Sequence, residues 1–174
     1  MDKVLITSGK YRGRKLTAPG GATHPMGSRE KIALFNMLTG VIEGARVLDC
    51  FAGSGALGCE ALSRGAKSVV FVEKSPKAAK VIRRNLDSLG IDDSEVIQGD
   101  ISNVMESLGS FDVILADPPY DDFDPKKIES LVPLLGKNGV LALSHPGEAI
   151  GFVGLKLLKS HQYAGAHISL YTKD

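Results

Sequence analysis

Between residues 46 and 144, five dense apolar runs alternate with four segments of helical character. The runs are RVLDC (46–50), KSVVFVE (67–73), SEVIQGD (94–100), FDVILA (111–116) and GVLALS (139–144). Runs this short and this apolar suit strands covered on both faces. The segments between them carry helix punctuation. GALGCEALSRG (55–65) closes on Gly65. Ser75 and Pro76 supply an N-cap and a first-turn proline for a helix that runs to about Leu89 and stops at Gly90. A short helix is expected near 101–108, and Asp124-Pro125 repeats the cap-and-proline signal for a helix to about Leu135. Strands joined by crossovers of this length form a parallel, doubly wound α/β sheet.

The flanks obey other rules. LKLLKSHQY and AHISLYTK, with Ala164-Gly165 between them, read as an antiparallel hairpin added to one edge. VLITSG and RKLTAP read as a second, small hairpin. EKIALFNML (30–38) then places Ile32, Leu34, Phe35 and Leu38 at roughly helical spacing. With 174 residues, 43% of them hydrophobic and 24% charged, the chain can build one ordinary soluble domain. Residues 1–40 are read as a basic extension of hairpin plus helix on a core of 41–174.

Several classes are excluded. No apolar run reaches the roughly 18–20 residues of a membrane span, and no secretory signal opens the chain. Cys50 and Cys59 lack the spacing of a disulfide framework or a zinc site, which points to a reducing cytoplasm. His24, His145, His161 and His167 form no metal motif, so no metal is expected. The net charge of +1 does not advertise nucleic-acid binding. Its distribution is uneven, because residues 1–31 hold seven Lys and Arg against two acids. A basic arm on a neutral body and a merely solvated terminus both fit that asymmetry.

DCFAGSGALG (49–58) carries GxGxxG as Gly53, Gly55 and Gly58, after a strand and before a helix, the setting of a nucleotide-binding turn. Glu73 ends the next strand, where a carboxylate can hold ribose hydroxyls. Asp49 stands four residues before the first glycine and would repel the pyrophosphate of a dinucleotide. It would favour S-adenosylmethionine, which carries a sulfonium and an ammonium and no phosphate. Asp100, at the end of the third strand, is placed to reach an adenine amine. The alternative is that Asp49 and Asp100 only cap turns.

The strand FDVILA ends abruptly in DPPYDD (117–122). In an open α/β sheet, ligands sit beyond the carboxyl ends of strands at the point where strand order reverses. If the first and fourth of the five strands are neighbours, Asp117 and Tyr120 face the glycine loop across that crevice. An exocyclic base amine is a poor nucleophile, because its lone pair is delocalised into the ring. The Asp117 carboxylate and the Pro118 carbonyl can accept its two N–H groups and draw the nitrogen toward a tetrahedral shape. Pro118 and Pro119 fix φ and preorganise those acceptors. Tyr120 offers a stacking surface for a base taken out of its stack. A proline turn with a core tyrosine is the plainer reading.

DPPY matches the signature of amino-methyltransferases acting on exocyclic base amines. SGKYRGRKL (8–16), LDCFAGSGALGCEALSRGA (48–66), FVEKS (71–75) and RRNL (83–86) are more specific. Together they resemble the RsmD-type bacterial 16S ribosomal RNA guanine-N2 methyltransferases, nearly end to end. The resemblance implies a Rossmann-like methyltransferase fold with a mostly parallel seven-stranded sheet, and S-adenosyl-L-methionine as cofactor. It implies N2-methylation of one guanine of 16S rRNA, in the small ribosomal subunit or its assembly intermediate. By position it assigns the target base to Asp117, Pro118, Pro119 and Tyr120. The cofactor falls to Asp49, Phe51, Gly53, Gly55, Glu73, Lys74, Asp100 and Ile101, and RNA contact to Arg12, Arg14 and Lys15. Gly13 is expected to allow close backbone approach there. Three stretches depart from the family. His24-Pro25-Met26 stands for Arg-Pro-Thr, and Lys31-Ile32 for an Arg-Glu pair, both in a segment that lies near the cofactor and RNA entrance in the family. Ser144-His145-Pro146 ends the fifth strand, where an acid is common.

Other functions compete. DPPY also serves adenine N6 on DNA or RNA, although the chain offers no separate target-recognition domain. A non-catalytic, cofactor-binding ribosome assembly factor would not need an intact DPPY. A nicotinamide oxidoreductase is disfavoured by Asp49 and by DPPY.

Overall fold

The computed structural model describes residues 3–21, 25–163 and 166–173. The chain opens with β1 (Lys3–Leu5) and β2 (Lys15–Thr17), an antiparallel pair in register Val4 to Leu16. Helix α1 (Ser28–Met37) comes next, and then the alternating core: β3 (Arg46–Asp49), α2 (Ala56–Ser63), β4 (Ser68–Glu73), α3 (Pro76–Leu89), β5 (Glu95–Gln98), α4 (Ile101–Val104), β6 (Phe111–Ala116), α5 (Pro125–Glu129) and β7 (Leu135–His145). The chain ends in β8 (Leu155–Tyr163) and β9 (Ala166–Lys173). The seven-stranded sheet has the order β5-β4-β3-β6-β7-β9-β8. β5, β4, β3, β6 and β7 pair in parallel, and the final hairpin adds antiparallel through β9. The hairpin's Ala164-Gly165 turn lies outside the described residues.

Period-2 alternation explains why the central strands are apolar throughout. Val47, Val69, Phe71, Val113, Leu115, Val140 and Ala142 face a core shared with α1, α2, α3 and the β1–β2 hairpin. Leu48, Val70, Val72, Ile114, Leu141 and Leu143 face the opposite layer, with Ile101, Ile128 and Leu131. Helix α3 begins as its sequence dictates. Ser75 Oγ accepts from the Ala78 N–H at 3.3 Å, Pro76 occupies the first turn, and Gly90 ends the helix in the left-handed region.

The helix after Asp124 is shorter than its periodicity suggests. It stops at Glu129 and gives way to a 3-10 turn, Val132–Leu134. Pro133 is the cause: it has no N–H to donate and disfavours helical backbone at the residue before it. The fifth strand of the core consequently starts at Leu135, earlier than GVLALS. Its pairing with β6 shifts register between Phe111 and Val113. The segment 101–108 is likewise a short α4 leading into a 3-10 turn, Met105–Ser107.

The basic arm is fastened by polar groups on α2. Glu60 is fully buried; its carboxylate accepts from the Thr7 N–H at 2.9 Å, the Thr7 hydroxyl at 2.6 Å, the Ser8 N–H at 3.1 Å and Arg64 Nε at 2.9 Å. Lys31 Nζ lies 3.5 Å from the same carboxylate and donates to the Leu5 carbonyl at 2.6 Å. Lys31 is fully buried, whereas Ile32 is 40% exposed, so Ile32 does not share the buried face of α1 with Leu34, Phe35 and Leu38. Lys31 is therefore an internal counterion, while Glu30 beside it lines the cleft described below. Burial lowers the Lys31 pKa against the pull of Glu60. Burial alone would raise Glu60, but the bonds from Thr7 and Arg64 and the charge of Lys31 hold it below the usual carboxylate range.

Just beyond, the Lys10 N–H donates to the Ser63 carbonyl at 2.7 Å and the Tyr11 N–H to Ser63 Oγ at 2.9 Å. Here Gly9, with φ +80°, is the residue that permits contact, because a Cβ would fall 1.8 Å from the Ser63 carbonyl oxygen. At Gly13 the space along the Cβ direction is open among the described residues, and its φ of +83° serves the turn.

Removing Glu60 strands a buried ammonium and two backbone donors, the Thr7 and Ser8 N–H groups. We expect Glu60→Ala to lower the unfolding free energy by about 3–5 kcal/mol, read from urea denaturation. An unchanged midpoint would mean that the network is not holding the arm.

Candidate active site

Four carboxylates mark the C-terminal ends of four neighbouring strands: Asp100 after β5, Glu73 on β4, Asp49 on β3 and Asp117 after β6. All four line one cleft of about 780 Å³. β3 and β6 are adjacent and parallel, with Asp49 opposite Leu115, so the crevice opens where the chain's crossovers part.

The glycine loop is held by two of these acids. Glu73 Oε2 accepts the Gly53 N–H at 2.8 Å, and its Oε1 accepts the Ser75 N–H at 2.8 Å. Asp49 Oδ2 accepts the Gly58 N–H at 2.9 Å. The loop's backbone donors are thus pointed at protein carboxylates, which leaves the site electronegative where a pyrophosphate site would be electropositive. Gly58 lets α2 close on β4, since a Cβ would lie 2.2 Å from the Phe71 ring. Gly55 caps α2 at φ 77° and does not line the cleft.

Asp49 is 1% exposed. Its burial pushes the carboxyl up to about 7, opposed by the Gly58 N–H and reinforced by the charges of Asp117 and Glu73. Burial likewise pushes Asp117 up to about 6, opposed by the Ser144 hydroxyl. Asp100 differs. Its Oδ1 caps α4 by accepting the Ser102 N–H at 3.0 Å, and its Oδ2 meets Lys127 Nζ at 3.0 Å. These two contacts hold its pKa below the usual value.

Of the residues expected at the cofactor, Asp49, Phe51, Gly53, Glu73, Lys74, Asp100 and Ile101 line the cleft. Asp117, Pro118, Pro119 and Tyr120 line it too, in a turn that leads from β6 into a 3-10 segment, Tyr120–Asp122. Tyr120 is 40% exposed at the mouth, and burial of its hydroxyl end raises its pKa. Pro25 and Met26 also line the cleft, whereas His24 lies outside the described residues. Arg12, Arg14 and Lys15 are exposed and do not line it.

Sequence reasoning missed three contributors. Ser144, on β7 and 1% exposed, shares a short hydrogen bond with the Tyr120 hydroxyl and faces Asp117. The available signal was its place near the end of the fifth strand, where the family commonly has an acid. Lys127 pairs with Asp100 and sits 5.7 Å from the Phe51 ring centroid; its partner stands 27 residues earlier, beyond the reach of a local signal. Asn85 donates to the Thr17 and Ser54 carbonyls, both at 2.9 Å, and accepts the Thr17 N–H at 2.9 Å. A lone asparagine on the apolar face of α3 was the available signal.

The family model described as Conserved hypothetical protein 95 matches residues 4–172. The Ribosomal RNA small subunit methyltransferase D of Escherichia coli (strain K12) is 36% identical over 80% of this chain and 70% of its own. The YlbH protein of Bacillus subtilis (strain 168) is 31% identical over 98% of this chain and 99% of its own. This chain belongs to the Conserved hypothetical protein 95 family. The solved yhhF protein of Escherichia coli shares the fold at a TM-score of 0.88, with 28% identity and 99% of both chains covered. Membership agrees with the RsmD-type resemblance of the motifs, and this chain carries the seven-stranded sheet that the resemblance implied.

The raised carboxyls have a measurable consequence. A carboxyl whose folded-state pKa exceeds its ordinary value contributes stability that is full below that ordinary value and is lost as pH rises through the folded pKa. For Asp49 the window is about pH 4–7, at about 1.4 kcal/mol per unit of displacement. Asp49→Asn should therefore remove part of the wild-type protein's loss of stability over that range, in denaturant titrations of the ligand-free protein. Parallel pH profiles for the two proteins would refute a raised Asp49.

Proposed function

We propose that this chain transfers a methyl group from S-adenosyl-L-methionine to the exocyclic N2 of a guanine in 16S ribosomal RNA. The observation that carries the reading is the placement of the Asp117-Pro118-Pro119-Tyr120 turn, facing the glycine loop across the crevice between β3 and β6. The rRNA methyltransferase names of its relatives support the substrate class. The small ribosomal subunit or its assembly intermediate is the proposed form of that substrate, and the cytoplasm the proposed compartment. No helix among the described residues is long and apolar enough to cross a membrane.

The residues suit this cofactor. When bound, S-adenosylmethionine supplies an electrophilic methyl group on a sulfonium. The protein's part is to hold and to orient. Asp49 offers negative charge to the cationic end. Glu73 keeps unused lone pairs for ribose hydroxyls beside the two backbone donors it already accepts. Asp100, Ile101, Phe51 and Lys74, which line the same cleft, would hold the adenosine part. At the other end, the Asp117 carboxylate and Pro118 carbonyl accept the N–H groups of the target amine, and Tyr120 stacks on the base. As the N–C bond forms and the sulfonium C–S bond breaks, positive charge grows on that nitrogen. Asp117 stabilises this charge and is the acceptor at hand for the proton then released.

The decisive experiment incubates the protein with labelled S-adenosylmethionine and undermethylated small subunits and identifies the modified nucleoside by mass spectrometry. N2-methylguanosine is expected; N6-methyladenosine, or no transfer, overturns the reading. In single-turnover kinetics, Asp117→Ala should slow transfer on the order of 100-fold or more, with little change in cofactor affinity. Tyr120→Ala should also weaken base capture, by about 1–3 kcal/mol of stacking. Wild-type rates for Asp117→Ala would remove DPPY from the chemistry.

For the arm, replacing Arg12, Arg14 and Lys15 with alanine should flatten the salt dependence of RNA binding. The expected change is about 0.7–0.9 log units of slope per lost phosphate contact. An unchanged slope would mark the arm as a solvated face.

A further inference from the structure

Helix α3 carries a row of exposed cations that begins where its own stability does not want one. Lys77, Lys80 and Arg84 stand at i, i+3 and i+7, the spacing of one helix face, and all three are exposed. The first turn holds no acid, and the last turn holds no base. Lys77 in the first turn opposes the positive end of the helix dipole. The described residues contain three ion pairs, and none includes a member of this row. No member of the row is paired within the described residues, and Asp87, the exposed acid one turn beyond Arg84, makes no ion pair there either.

The row also leads somewhere. At its start, Lys77 lines the mouth of the cleft. At its far end, one turn beyond Arg84 on the same face, the Ser88 carbonyl accepts a hydrogen bond from the Arg14 guanidinium. Asn85 clamps Thr17 of β2 beside it. The stretch from Lys77 to Ser88 spans roughly 16 Å at the helical rise. The arm and the helix thus make one continuous cationic track that ends at the cleft. Arg83 is not part of it, because it lies off the i, i+3, i+7 row and its guanidinium reaches the Val96 carbonyl of β5.

Resting on the rRNA reading above, we propose that the exposed Lys77–Lys80–Arg84 face of α3 is a docking track for the phosphodiester backbone of the RNA strand that delivers the target base. Arg14 hands the strand from the arm to this track, and Lys77 brings it to the cleft. Backbone contacts of this kind set position and carry no sequence information.

The test measures binding of the full chain to undermethylated small subunits as a function of potassium chloride concentration. Lys80→Ala/Arg84→Ala should reduce the slope of log K against log salt by about 1.5 and weaken binding on the order of ten- to thirtyfold near 0.1 M salt. Lys80→Glu/Arg84→Glu should weaken it further. Lys137→Glu reverses an exposed cation at the start of β7, at the other end of the sheet, and should leave the slope as in wild type. Thermal melting of each variant confirms that α3 is folded. If the wild type binds and methylates the subunits while both α3 variants keep its affinity and slope, the track is a solvated face and only this inference falls. If the wild type does not bind RNA at all, the rRNA reading falls with it.

Discussion

β3 and β6 hydrogen-bond side by side, and the chain leaves them in opposite directions along the sheet: from β3 through α2 to β4, from β6 through α5 to β7. Loops that part in this way cannot fill the space between them, so a crevice is unavoidable at the carboxyl ends. Everything chemical in this protein sits on the rim of that crevice. The glycine loop leads out of β3, and the DPPY turn leads out of β6. Glu73 and Asp100 end the next strands outward on one side. Ser144 lies on β7 on the other, within reach of Tyr120. A different strand order would scatter the same residues.

Charge is partitioned around that rim. Four carboxylates face inward, and burial makes two of them, Asp49 and Asp117, costly to ionise in the ligand-free protein. Such a site favours ligands that bring positive charge or N–H donors, since either lowers the cost of ionisation. A phosphate would raise it. The cations lie outside, on the arm and on α3, where they are hydrated and available to a polyanion. The near-zero net charge of the whole chain hides this separation of an acidic interior site from a basic surface.

Much of this was legible because the signals are local. FDVILA forms a strand with the bounds its composition set, and Ser75-Pro76 starts a helix as cap chemistry demands. The acids at strand ends could be placed once the alternation was read. What escaped depends on partners far away in sequence. Lys31 belongs in water by residue type; only Glu60, 29 positions on, makes its burial tolerable. Ser144 matters because the chain folds it against Tyr120, 24 residues earlier. Gly9 and Gly13 look equivalent in SGKYRGRKL, and only the docking of the turn on Ser63 shows that Gly9 is the one packed against α2. Pro133 was a local signal, and it explains why the helix after Asp124 runs short.

Asn85 shows how the two halves of the molecule are registered. Val81, Ile82, Leu86 and Leu89 fix α3 against the sheet by apolar burial, which is non-directional and tolerates small slides. Asn85, 3% exposed among them, satisfies three backbone groups at once, two on Thr17 and one on Ser54. Hydrogen bonds of that geometry admit one register. A leucine in its place would pack, but it would leave the Thr17 and Ser54 groups unpaired in the interior, each at about 1–3 kcal/mol. A single amide therefore ties β2, and with it the basic arm, to the glycine loop. The distance between the cationic surface and the crevice is set by directional bonds rather than by the extent of the core.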